Sequence, residues 1–144
     1  MIGHKPVTVL DPKMILEVIE NGIKQGDHVY VLFLESSAIE GYLSSLIQLS
    51  GIAENSPKKN VIDFIDRMNF IALVNVNNIL GNIDYDLYKG LTIFYTERNE
   101  FAHNMIGIDF NDTDVIASVK TLTSRGLDLC RKISKIHDQK LGSA

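Results

Sequence analysis

Cysteine occurs once in this 144-residue chain, at Cys130, so no intrachain disulfide can form and an oxidising compartment is not implied. Proline occurs only at Pro6, Pro12 and Pro57, and none of the three interrupts a periodic segment. The longest uninterrupted apolar run, Val29 to Leu34, has six residues, against the roughly 20 that a membrane-spanning helix needs. No membrane contact is therefore expected. The N-terminal stretch lacks a basic region followed by an apolar one, and the C-terminal Leu141-Gly-Ser-Ala144 carries no lipidation motif. A cytoplasmic location follows as the default expectation.

What remains is ordinary globular material. Hydrophobic residues make up 45% and charged residues 22% of the chain, which excludes disorder and low-complexity classes. A chain of this size buries about two-thirds of the surface its unfolded form exposes, so it needs no staple. Net charge is −4, which argues against a generic nucleic-acid coat. The charge is unevenly spread: residues 113–144 carry +3 and the preceding residues −7. That asymmetry fits either an anionic partner for the last segment or a solvated helix whose final turns favour cations.

Helical spacing recurs along the chain. Asp11-Pro12 reads as a helix start, followed by Met14, Ile15, Val18, Ile19 and Ile23 on one stripe and Gly26 as a stop. A second helix is expected from Asp27 to about Ser50, ahead of Gly51. Residues 51–60 read as the main loop. Val61, Phe64, Ile65, Met68 and Ala72 form the apolar stripe of a third helix, and asparagine-rich residues 75–82 form a break. Asp84 or Asn82 caps a fourth helix with the stripe Leu87, Leu91, Phe94 and Phe101. After a turn around 104–110, a last helix over 113–138 carries Val115, Val119, Leu122, Leu129, Ile133 and Ile136 on one seam. The expected fold is all-α, a bundle of four to five helices in one domain over residues 11–138. Residues 1–10 and 139–144 are expected to be tails.

Familiar reactive patterns are missing. His4, His28, His103 and His137 are scattered, and no His or Cys pair has zinc-ligand spacing, so neither a metal nor a cofactor is expected. No glycine-rich phosphate loop and no Gly-x-Ser-x-Gly elbow occurs. One constellation remains, Glu97-Arg98-Asn99-Glu100-Phe101-Ala102-His103-Asn104, at the end of the fourth helix. Arg98 continues the stripe of Leu91 and Phe94, while Tyr95, Asn99 and His103 form an adjacent row. On a straight helix Arg98 and His103 stand about 140° apart, so a frayed end or two copies of the chain are needed to bring them together. Histidine can exchange a proton with a ribose 2′-hydroxyl or a leaving oxygen. Arginine offers a planar fork to a phosphate whose charge grows, and Asn99 can orient either group. Tyr95, Asn104 and Lys120 are candidate binding residues beside them. The structural alternative pairs Arg98 with Glu97, Glu100 or another carboxylate and uses His103 to cap the helix end.

Arg98-Asn99-x-x-Ala102-His103 resembles the signature of the HEPN superfamily. Phe101-Ala102-His103, followed by a short turn to Phe110-Asn111-Asp112 at the head of the last helix, is similar to the subgroup that includes the mannitol operon repressor. The resemblance covers roughly residues 28–138. It implies a small helical bundle, usually a homodimer, with the motif near the subunit interface. It also implies either a metal-independent endoribonuclease of toxin or defence type, acting on RNA through Arg98, Asn99 and His103, or a non-catalytic dimeric regulator or adaptor. A protein antitoxin or regulatory partner belongs to the same expectation. One departure is visible: where the toxin subgroup paired with nucleotidyltransferase antitoxins carries a tyrosine two residues after the histidine, this chain has Met105.

Overall fold

The structure, a computed structural model, describes residues 12–51 and 57–142. These residues form six α-helices, and no strand occurs among them. In chain order they are α1 (Pro12–Gln25), α2 (His28–Leu49), α3 (Lys58–Asp66), α4 (Phe70–Ile79), α5 (Tyr85–Asn104) and α6 (Thr113–Gly142). A 3₁₀ turn, Met105–Gly107, follows α5 directly. The expected tail over 1–10 and the Asp11 cap lie outside the described residues.

Local chemistry sets the first turn. Gly26 takes φ +79°, a conformation that costs glycine least, and the Asp27 amide donates back to the Gly22 carbonyl at 2.9 Å. Gly22 is buried at the crossing of α1 and α2, where a Cβ would stand 2.5 Å from Val31 Cγ2. Only a bare Cα permits that approach.

The expected third helix is two helices. Its chain turns at Arg67–Asn69, and the Asn69 side chain accepts from the Ala72 amide at 2.9 Å, restarting the helix as α4. Phe64, assigned to the apolar stripe from its spacing, is 65% exposed, because α3 turns Ile65 inward and Phe64 stands about 100° round the helix from it. The expected break over 75–82 begins only at Leu80. Asn77, fully buried inside α4, donates to the carbonyls of Leu43 (3.0 Å) and Leu73 (2.8 Å), and it accepts from Asn82 (2.9 Å). An asparagine so satisfied no longer competes with the helix.

Asp84, rather than Asn82, caps α5, its side chain accepting from the Leu87 amide at 2.8 Å. α6 continues beyond Asp138 to Gly142, so residues 139–142 are helical rather than tail. Thirty residues make it about 45 Å long. α2 and α6 share the most extensive contact of the bundle. Val31, Ile39, Leu43 and Leu46 of α2 and Leu129, Cys130 and Ile133 of α6 are buried in one cluster with Ile19, Phe70, Val74, Leu91 and Phe94. No helix is long and apolar enough to cross a membrane among the described residues.

Candidate functional site

Because α5 packs against α4 and α6 at once, its C-terminal half sends side chains to two different grooves. On the α4 side, Tyr95 stacks on Phe70 with ring centroids 5.1 Å apart and planes 17° from parallel. The Arg98 guanidinium lies over both rings, 5.2 Å from the Tyr95 centroid and 5.6 Å from that of Phe70. Its Nη2 donates to Asn99 Oδ1 at 3.0 Å. Arg98 forms no ion pair with any described residue. Glu97, a candidate partner from the sequence, instead binds Arg125 of α6.

Arg98 and Asn99 open into a groove of about 410 Å³ between the C-terminal half of α5 and the N-terminal half of α2. Leu32, Phe101, Ala102 and Met105 give it apolar walls, and Ser36 and Glu40 add polar groups. The Ser36 hydroxyl is buried there without a hydrogen-bond partner.

The other expected site residues stand apart. His103 is exposed in the last turn of α5 and makes no hydrogen bond, ion pair or ring contact with the described residues. It does not cap the helix: the Met105 amide reaches the Ala102 carbonyl, and no side chain closes the end. α5 stays helical through Asn104, so no fraying swings His103 toward Arg98. Asn104 lines a second groove of about 680 Å³ between α5 and α6, together with Glu97, Glu100, Asp114 and Arg125. Lys120 is exposed on α6. Burial, and then the Lys120 charge, hold His28 below the ordinary histidine range, opposed by Asp27. The structure thus gathers Tyr95, Arg98 and Asn99 and leaves His103, Asn104 and Lys120 separate from them. Among the described residues no group of three or more His, Cys, Asp or Glu is arranged to hold a metal ion.

One group went unnoticed in the sequence. Glu35 is fully buried between α2 and α6, and neither carboxyl oxygen has a hydrogen-bond partner. Gly126 of α6 makes room for it; a Cβ there would lie 2.4 Å from Oε1. Burial pushes the Glu35 carboxyl up to about 9. It also pushes the Cys130 thiol up, with Glu35 adding to the effect. The available signal was a carboxylate four residues after Val31 and four before Ile39, facing a glycine in the seam of the last helix.

Comparison with protein-family models, with curated proteins and with solved structures returns no match for this chain.

Proposed function

We propose that this chain is a HEPN-like helical domain that acts as a homodimer and cleaves RNA without a metal, through Arg98, Asn99 and His103. The observation that carries the reading is the state of the two charged or titratable groups of the motif. Among the described residues, Arg98 is held on aromatic faces with no carboxylate in ion-pair contact, and His103 is exposed with no partner. Among the described residues Arg98 hydrogen-bonds only the Asn99 side chain and His103 is turned to solvent, which leaves both open to a ligand.

In this reading His103 exchanges the proton of the ribose 2′-hydroxyl or of the leaving oxygen. Arg98 stabilises the phosphate as its charge grows, through a bidentate fork. Since the two diverge on one regular helix, the site is completed between two copies. Products then carry 2′,3′-cyclic phosphate ends, DNA is inert, and cleavage persists in EDTA. His103→Ala slows cleavage roughly 10²–10⁴-fold. Arg98→Lys keeps the charge and loses the fork, and it also slows the reaction.

A non-catalytic dimeric regulator is the second reading. It is favoured by the apolar walls of the Arg98 groove and by the carboxylates of Glu97, Glu100 and Asp114 in the groove on the other side of α5. An RNA-cleavage assay at micromolar protein separates the two. Intact RNAs, structured and unstructured, leave the regulator reading standing.

A further inference from the structure

Glu40 and Arg98 line one groove, between the N-terminal half of α2 and the C-terminal half of α5. Opposite charges in one groove could neutralise each other, yet neither makes an ion pair with the other or with any other described residue. Ser36 lines the same groove at 6% exposure, and its hydroxyl is buried without a hydrogen-bond partner among the described residues. A buried hydroxyl left open costs stability that a bound molecule restores. These three groups call for a ligand with an anion at one place and hydrogen-bond donors at another.

The rest of the lining is apolar. Phe33 comes from α2, and Phe101 and Met105 come from α5. Phe33 is 67% exposed, so it carries no part of the core. A flat ring entering between the helices meets apolar side chains from both, which suits a nucleobase and not the sugar–phosphate backbone. The groove's volume of about 410 Å³ lies within the range of small-molecule sites, roughly 300–1,000 Å³.

The carboxylate then selects among the bases. An ionised carboxylate only accepts hydrogen bonds, and it can take two parallel ones. Guanine is the base whose pairing edge offers two adjacent donors, the ring N–H and the amino group. Adenine, cytosine and uracil each place an acceptor beside the donor on that edge, and so set a lone pair against the carboxylate.

We propose that the groove between α2 and α5 is a guanine pocket. Glu40 accepts from the pairing edge of a guanosine whose phosphate lies on Arg98, the ring lies against Phe33, Phe101 and Met105, and the Ser36 hydroxyl finds its partner on the base. The inference deepens the function proposed above and rests on its assignment of Arg98 to the phosphate.

The test is equilibrium dialysis of the full chain against the monophosphates of guanosine, adenosine, cytidine and uridine, with circular dichroism on each variant to check that it is folded. Each nucleotide is offered as its 3′ and its 5′ isomer, because the base can lie on either side of the phosphate. The guanosine nucleotide binds roughly 10-fold more tightly than the other three. Its inosine counterpart, which lacks the amino group, falls back by roughly 10-fold. Glu40→Gln keeps the shape, loses one of the two acceptors and brings the guanosine nucleotide down to the adenosine level. Phe33→Ala weakens all four alike, because stacking does not distinguish bases. Equal binding of the four nucleotides, selectivity that survives Glu40→Gln, or no binding of any of them at millimolar concentration overturns the proposal. So does a preference for free phenylalanine, a zwitterion that offers the same two charges and an apolar ring. Binding requires no cleavage: a chain that selects guanosine yet leaves RNA intact sinks only the enzymatic reading, and one that cuts RNA without regard to guanosine sinks only the pocket.

Discussion

Glu35→Gln removes the one ionisable carboxyl enclosed between α2 and α6 while keeping its shape. In the folded chain burial holds this carboxyl protonated up to about pH 9, whereas the exposed group loses its proton near its ordinary value of 4.5. Between those limits the folded state binds one proton more than the unfolded state. Stability therefore falls as pH rises through the window, by about 1.4 kcal/mol per pH unit, and levels off above it. At neutral pH the accumulated loss is on the order of 3 kcal/mol, a sizeable share of the roughly 5–15 kcal/mol that holds a domain together. The glutamine variant has no proton to take up. Its advantage over the wild type should be small near pH 5 and grow steadily toward pH 8. Urea denaturation of both proteins across that range, followed by circular dichroism, reads the difference directly. A wild-type-to-variant difference that stays constant with pH would refute the reasoning, since it would mean that the carboxyl is hydrated or paired in the folded state.

Other outcomes follow from the same packing. Gly126→Ala should cost roughly 1–3 kcal/mol in urea denaturation, because its Cβ meets the Glu35 carboxyl. Combining it with Glu35→Ala should recover most of that loss, as a double-mutant cycle will show. Asn77→Ala leaves the Leu43 carbonyl without its side-chain donor and should destabilise the fold by roughly 1–3 kcal/mol in the same assay. Cys130, buried and with its thiol pushed up, should react with a thiol reagent only as fast as the bundle opens, and promptly once urea unfolds it.

The all-α class was legible because helical spacing in the long segments coincides with strong stops. Gly26 and Gly51 adopt positive φ where the first two helices end, and Asp84 caps α5. The middle of the chain misled for a physical reason. Asn69 and Asn77 are the same residue type with opposite effects: Asn69 caps an end, while Asn77 is buried and bonded to a carbonyl of another helix. Which of the two an asparagine does depends on tertiary partners that spacing cannot reveal. At the site, the divergence of Arg98 and His103 could be read from helix geometry, and α5 keeps that geometry through Asn104. The aromatic bed under Arg98 could not be foreseen, because Phe70 belongs to a helix whose start was misplaced. Glu35 was hidden by its surroundings, a single charge directly after the apolar run Val29 to Leu34 in a helix whose inward face was not read.

The central claim, an RNA-cleaving site completed between two copies through Arg98 and His103, meets its most direct test in mixing Arg98→Lys protein with His103→Ala protein. Each variant alone should cut RNA poorly. After subunit exchange, mixed dimers contain one site with both native residues, so the mixture should recover about a quarter of wild-type activity. A mixture no more active than its components, or His103→Ala protein as active as the wild type, would contradict the claim.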